Sequence, residues 1–269
     1  ENSIIVGKNQ NTLSEINYDY VKENNIKVVR RLSGGGAVFH DLGNINFTFI
    51  SCNDNSFSDF KKFTMPIVEA LKELNVHAEF SGRNDLLIDG QKFSGNAQYN
   101  YKNKVMHHGT LLFSSEINNL SNALKVKPSK FQGKSVKSVK SRVTNISSHL
   151  DKKMTVLEFK DYLMDFINKR DENSHFYELN DKDVESINKL VEEKYSTWEW
   201  NFGYSPKYSL YNEVKYPGGN LEFSLDVHDG LIKDIKFFGD FFGKEDISFI
   251  ENKLRNVKHN EYSIKSALE

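Results

Sequence analysis

Cysteine, proline and tryptophan are scarce: the 269 residues hold one, four and two of them. The lone Cys52 excludes an internal disulfide framework and fits a reducing compartment. No apolar run approaches the ~18 residues that a membrane span needs, and no signal-peptide pattern opens the chain. The sequence therefore reads as cytoplasmic, with no membrane partner. An excess of charge of either sign is missing as well. The 36 Lys+Arg and 37 Asp+Glu leave a net charge of −1, which argues against nucleic-acid binding by bulk charge. Two phosphate-binding signatures are also absent. There is no G-x-x-x-x-G-K-[ST], and no G-x-G-x-x-G opens a helix, because Ala37-Val38-Phe39-His40 favour a strand.

What is present begins with bulk for a core, since 20 residues are Phe. The organising stretch is KVVRRLSGGGAVFHDLGNINFTFI, residues 27–50. Three consecutive glycines cost about 0.5–1 kcal/mol each in lost backbone freedom relative to alanine. In return they expose amides that can close on an anion, next to the guanidiniums of Arg30 and Arg31, which suit phosphate. The alternative is a tight turn with both arginines facing water.

Along the chain, Ser3 to Val6 reads as a buried strand. Thr12 to Glu23 reads as a helix with a Thr12/Glu15 capping box. Val38 and His40, then Ile45, Phe47 and Phe49, alternate at period two across Asp41-Leu42-Gly43-Asn44, which predicts a hairpin. Residues 57–75 carry helical apolar spacing interrupted by Pro66. Asp85 to Asp89, the Asp89-Gly90 turn, Gln91 to Tyr101, Lys102-Asn103 and Val105 to Phe113 form an antiparallel meander. The pattern predicts an α+β (mixed α/β) fold with a largely antiparallel sheet flanked by helices. Lys92 follows the tight turn, in KFSGNAQ. On composition it reads as a surface lysine or as a cation over bare backbone.

Between Ile117 and Leu150 there is no acidic residue, while Lys125, Lys127, Lys130, Lys134, Lys137, Lys140 and Arg142 crowd the stretch. It reads as a solvated loop, a nucleic-acid patch with only Phe131 interleaved, or a docking surface for an acidic partner. Thr155/Glu158 is a second capping box. It opens a helix with Val156, Phe159, Leu163, Phe166 and Ile167 on one face. The polar stretch Lys169 to Ser174 divides the chain into domains 1–172 and 173–269. In the second, a helix capped at Asn180 or Asp181 and the run Trp198 to Gly203 come first. Three strands and a last helix at about 244–255 follow, a small α+β unit.

RRLSGGGAVFHDLGNINFTF, SGRNDLLIDGQKFSGNAQ, HHGTLLF, SVKSRVTN and WEWNFG, in this order, resemble the lipoate–protein ligases over nearly the whole chain. The resemblance implies a catalytic domain of the biotin/lipoate ligase fold, related to class II aminoacyl-tRNA synthetases, and a C-terminal accessory domain. It implies ATP and Mg²⁺ as cofactors. It also implies transfer of lipoate, through lipoyl-AMP, to a lysine of apo lipoyl domains or of the glycine-cleavage H protein. By resemblance, Arg31, Gly36, Ala37, Val38, Phe39 and Lys92 bind ATP. Gly35, Gly36, Lys92, His108, Gly109 and Thr110 lie at the substrate. Lys92 is the catalytic residue, an ammonium fixed where charge builds up. Asp85 reads as a Mg²⁺ contact or as a hairpin cap. His107 and His108 are adjacent on a strand and must point to opposite faces, so neither reads as a metal ligand. The family's adenylate-covering loop falls on the basic run, where neutralising Lys134, Lys137 and Lys140 is expected to weaken transfer more than adenylation. The resemblance also implies an upstream strand–helix segment walling the lipoate tunnel, so the natural chain is expected to begin before Glu1.

Two rival functions remain at this level. An ATP-independent octanoyl- or lipoyl-transferase of the same fold would need Cys52 as nucleophile, and Cys52 lies outside the matched blocks. A basic-loop RNA-binding module would bind with strong salt dependence and release no pyrophosphate.

Overall fold

In the computed structural model the described residues are 1–52, 56–82, 84–117, 123–124, 143–203, 210–243 and 245–269. The basic run at 125–142, including Lys134, Lys137 and Lys140, lies outside them.

A short sheet opens the chain. β1 (Ser3–Val6) pairs in parallel with β2 (Lys27–Arg30) and antiparallel with β3 (Val38–His40). Helices α1 (Thr12–Glu15) and α2 (Tyr18–Glu23) connect β1 to β2. Ile4, Val6, Ile16, Val21, Ile26, Phe39 and Ala123 form its core.

The expected single helix from Thr12 to Glu23 is therefore broken at Ile16–Asn17, and the Thr12 capping box does not form. Asn11 is the N-cap, without a side-chain bond. The Thr12 hydroxyl is engaged elsewhere. It donates to the Asn201 carbonyl at 2.6 Å and accepts from Arg30 Nη2 at 2.7 Å.

The main sheet is antiparallel throughout, in the order β4-β8-β7-β6-β5. Its strands are β4 (Asn44–Cys52), β5 (Ala78–Ser81), β6 (Asp85–Ile88), β7 (Gln91–Tyr101) and β8 (Lys104–Leu112). Helices α3 (Phe60–Glu73) and α4 (Val156–Asn168) pack on it, with Ile67, Leu71, Leu86, Phe93, Phe113 and Phe159 in the shared core. The meander and the Thr155 capping box are as the sequence predicts.

The predicted β3–β4 hairpin is not. β3 belongs to the first sheet, while β4 pairs with β8. The link between them is docked on the end of β8. The Gly43 carbonyl accepts from the amides of Phe113 and Ser114, and a Cβ on Gly43 would lie 2.3 Å from the Ser114 carbonyl oxygen.

After helix α5 (Asp181–Leu190), capped by Asn180, the turn α6 (Trp198–Asn201) packs against β2. A second antiparallel sheet follows, made of β9 (Leu210–Tyr216), β10 (Gly219–His228) and β11 (Leu231–Gly239). The expected last helix is shorter than its apolar spacing suggested, α7 (Ser248–Leu254), and a further one, α8 (Glu261–Leu268), ends the chain. Ile264 and Ala267 of α8 pack on the Leu225–Ile232–Ile235–Leu254 core.

This C-terminal unit packs beside the glycine turn and on the residues after β1. The Gly239 amide donates to the Asn9 carbonyl at 2.9 Å, and Lys8 pairs with Asp246. The Phe242 ring lies 5.5 Å, centroid to centroid, from that of Phe60.

Candidate active site

A cavity of about 340 Å³ opens between the glycine turn and the inner face of β4, β7 and β8. Arg31, Gly35, Gly36, Ala37 and Val38 line it from one side. Lys92, His108, Gly109 and Thr110 line it from the others, with Ile5, His40, Asn46, Phe47, Thr48, Asn84, Gly95, Asn96 and Ala97 completing the wall. The glycine stretch and the KFSGNAQ lysine, about 60 residues apart in sequence, thus share one space.

The glycines divide the work. A Cβ on Gly34 would sit 2.2 Å from the carbonyl oxygen of Phe241, so Gly34 makes room for the C-terminal unit. Gly35 has φ +90, the left-handed region that favours glycine. A Cβ on Gly36 would meet nothing within 4 Å, which is what a backbone reserved for a ligand requires. Val38–His40 is committed to the β1 pairing, and the Phe39 side chain is buried in the core. The structure brings every predicted site residue to the cavity wall except Phe39 and Asp85. Phe39 turns its ring away, and Asp85 reaches the site through Lys92.

The two arginines separate. Arg30, expected beside the phosphates, is 2% exposed and points the other way. Its guanidinium donates to the carbonyls of Gly7, Lys8, Gln10, Trp200 and Asn201 and ties α6 to the first sheet. Arg31 lines the cavity, but three of its N–H bonds brace the turn itself, to Ser33 Oγ and to the carbonyls of Gly34 and Gly36, and a fourth reaches the Ile5 carbonyl of β1. Burial, and then the neighbouring Arg30 charge, lower it to about 10, so it remains a cation at neutral pH.

Lys92 owes its aim to a bulge. β7 faces β6 in register at Ser94↔Leu86 and at Lys92↔Leu87, which leaves Phe93 as an extra residue on β7. Such bulges re-aim side chains near functional sites. The result is that Lys92 lies over Gly95, its Nζ 3.1 Å from where a Cβ would stand. The same ammonium is 2.7 Å from Asp85 Oδ1, in a pair about two-fifths exposed.

His107 and His108 part as strand alternation requires. His107 is fully buried, stacked 4.9 Å from Phe63 and bonded to Gln98 and Asn96. His108 faces the cavity, its Nε2 2.6 Å from Ser33 Oγ. Burial lowers His107 to about 3 and both His108 and His40 to about 4, and the Arg31 charge adds to the last two. All three are neutral at physiological pH. The cavity therefore presents fixed cations and uncharged imidazoles beside the apolar Ile5, Val38, Phe47 and Ala97.

Sequence reading missed His40, Asn46, Asn84 and Asn96 as parts of the wall. Asn96 sets the space at Gly109, where a Cβ would lie 2.2 Å from Asn96 Oδ1. Its place in the KFSGNAQ block with Lys92 was the available signal.

Among the described residues no group of three or more His, Cys, Asp or Glu could hold a metal ion. Asp85, which meets the cavity through its pair with Lys92, is a single carboxylate, and that suits a Mg²⁺ that arrives on a nucleotide and keeps most of its waters. No described helix is long and apolar enough to cross a membrane. Cys52 is exposed at the end of β4, paired in register with Lys104. It lies four residues beyond the cavity-lining Thr48, roughly 13 Å along the strand.

Comparison with known proteins agrees with this geometry. Residues 1–168 match the lipoyl protein ligase A/B catalytic domain, and residues 205–269 match the bacterial lipoate protein ligase C-terminus. Lipoate-protein ligase LplJ of Bacillus subtilis is 51% identical over 270 residues, 99% of this chain and 82% of that protein. Lipoate–protein ligase 1 of Staphylococcus aureus is 48% identical, over 99% and 81%. The crystal structure of P. falciparum LipL1 in complex with lipoate superposes with a TM-score of 0.79 at 31% identity, covering 99% of this chain and 78% of that one. A lipoate-protein ligase A bound with ATP gives 0.64 at 28%, covering 76% and 83%. With both domains matched and a cavity that joins a bare glycine turn to a lysine, the chain belongs to the lipoate–protein ligase family.

Proposed function

We propose that this cavity joins lipoate to AMP and passes the acyl group on to a protein lysine. The carrying observation is that Lys92 and the open backbone at Gly36 face one apolar-walled space of about 340 Å³.

Two anions must meet for the first step, and their repulsion is the obstacle. The amides at Gly36 and Ala37, with Arg31 behind them, hold the nucleotide phosphates. Lys92 leaves Asp85 and places its ammonium between the lipoate carboxylate and the α-phosphate. A carboxylate oxygen attacks the α-phosphorus, the bond to the β-phosphate oxygen breaks, and pyrophosphate leaves with its charge. Positive charge fixed where negative charge concentrates is the main source of rate in such a step. Asp85 is the residue to hold Mg²⁺, which would supply further charge neutralisation on the phosphates. Neutral His40 and His108 let the acyl chain lie against them without a buried ion.

In the second step an acceptor lysine amine attacks the acyl carbonyl, loses a proton, and AMP departs. The acceptors are lipoyl domains, in keeping with an archaeal lipoylation system described as a bi-partite lipoate protein ligase and its E2 lipoyl domain. The glycine-cleavage H protein is a further candidate acceptor, and the cytoplasm is the compartment. We place the division between the catalytic and accessory domains at 172/173.

The test is pyrophosphate release on mixing the protein with ATP, Mg²⁺ and lipoate, with biotin as the competing acid and an apo lipoyl domain as acceptor. Lipoate-dependent release followed by acceptor modification is expected. Acyl transfer that ignores ATP and disappears in Cys52→Ala would replace this reading with the transferase, whose nucleophile the structure leaves outside the cavity wall.

A further inference from the structure

Lys92 sits where a strand loses its neighbour. The pairing of β7 with β8 begins at Ser94, so on that side Lys92 lies beyond the ladder. A different segment takes the place of β8. Val143 forms a parallel bridge with Lys92, and the Thr144 amide donates to the Lys92 carbonyl at 3.0 Å. On its other side Lys92 stays in register with Leu87 of β6, beside the bulged Phe93, so this substitute edge supplies the second lateral partner of the backbone from which the ammonium projects.

The substitute edge is itself held by a chain of side chains. Thr144 is 8% exposed, and its hydroxyl lies 2.8 Å from His149 Nε2. His149 Nδ1 lies 3.6 Å from Asp89 Oδ2, a near contact longer than a hydrogen bond. A carboxylate on the Nδ1 side favours the imidazole tautomer protonated there. Nε2 then accepts, and the Thr144 hydroxyl donates. Asp89 begins the turn, with φ +50, that delivers Gln91 and Lys92. The contacts thus form a closed circuit, from Lys92 through Thr144 and His149 to Asp89 and back along three residues of backbone.

Merely anchoring the segment does not need this circuit. Asn145 already makes two bonds to the Ser115 backbone, Ile146 is buried in the main core, and the Ser147 amide donates to the Phe113 carbonyl. Thr144, His149 and Asp89 add something local to Lys92.

We propose that Thr144, His149 and Asp89 act as a positioning relay for Lys92, holding the strand edge that carries it in the register that aims its ammonium into the cavity. This rests on the reading of Lys92 as the residue that meets carboxylate and α-phosphate. Displacement of a catalytic group by about 1 Å can cost up to 10²-fold in rate, so loss of one link is expected to cost about tenfold.

The experiment is single-turnover pyrophosphate release by the full chain with saturating lipoate and Mg²⁺ and varied ATP. Thr144→Val and His149→Phe are expected to lower the plateau rate about tenfold, with the half-saturating ATP concentration within about twofold of the parent. Thr144→Ser keeps the hydroxyl, and His149→Gln places an amide where Nε2 stood. Both are expected to recover to within about threefold, which a general packing role would not produce. The relay is overturned if the Val and Phe variants keep the parental plateau, if their loss appears only in the ATP dependence, or if the folded Ser and Gln variants fail to recover. Should the Val or Phe variants not fold, Asp89→Asn decides, because asparagine accepts the left-handed backbone at that exposed turn. A lower plateau in that variant supports the relay and an unchanged one overturns it. Lys92→Ala separates the two levels. Retained adenylation in that variant removes the underlying reading, whereas its loss beside a fully active Thr144→Val removes the relay alone.

Discussion

Gly34 and Phe241, 207 positions apart, approach so closely that a methyl group on the first would stand 2.2 Å from the carbonyl oxygen of the second. Two residues on, at Gly36, the same methyl group would meet nothing within 4 Å. Gly34→Ala is therefore expected to loosen the C-terminal unit and cost about 1–3 kcal/mol, an overpacking cost. Gly36→Ala is expected to leave thermal stability unchanged and raise the ATP requirement of pyrophosphate release. Melting curves and ATP titrations on the two variants check this, and matching profiles for both would count against the division.

Lys92→Ala is expected to lower lipoate-dependent pyrophosphate release by about 10²-fold or more, because a charge donor aimed at the transition state is removed. Its effect on stability should stay below about 1 kcal/mol, since the Lys92–Asp85 pair is well exposed. Asp85→Asn frees the ammonium but removes the carboxylate paired with Lys92, so the Mg²⁺ concentration needed for half-maximal rate should rise. An unchanged Mg²⁺ titration would separate Asp85 from the metal.

Acid should unfold this protein through its neutral histidines. His40 and His108 titrate near 4 and His107 near 3 when folded, against about 6.5 in an unfolded chain. Below pH 6.5 the unfolded state binds protons that the folded state does not, so stability rises with pH across this window and falls as pH drops through it. Each histidine contributes at most about 1.4 kcal/mol per pH unit. Denaturant midpoints at pH 7 and pH 5 should differ accordingly, and His107→Gln should shrink the difference. A flat profile would mean that these imidazoles are charged in the fold.

Arg30→Lys is expected to destabilise the protein by about 3–5 kcal/mol. An ammonium cannot serve the carbonyls of Gly7, Lys8, Gln10, Trp200 and Asn201 from one buried position. Thermal unfolding reads the loss, and adenylation per folded molecule should persist, which distinguishes Arg30 from Arg31.

What the sequence disclosed was local or motif-like. The Asp89-Gly90 turn, the Thr155 capping box and the buried face of α4 all depend on residues within a few positions of one another. What it hid depends on distant partners. Thr12 looks like a cap until Asn201, 189 positions on, takes its hydroxyl. Arg30 and Arg31 are adjacent and chemically identical, and only the tertiary packing sends one to α6 and the other to the cavity. The Phe93 bulge leaves no mark in composition, yet it decides which face Lys92 serves. Likewise β3 and β4 alternate as a hairpin would, and the docking of Gly43 on the end of β8 separates them.

Neighbouring letters of the Gly34-Gly35-Gly36 triplet thus answer to different masters. In a library randomised across the turn, survivors at position 34 would be sorted by protease resistance of the folded chain, and those at position 36 by turnover of the nucleotide. A screen that scored growth alone would merge two unrelated requirements into one apparent motif.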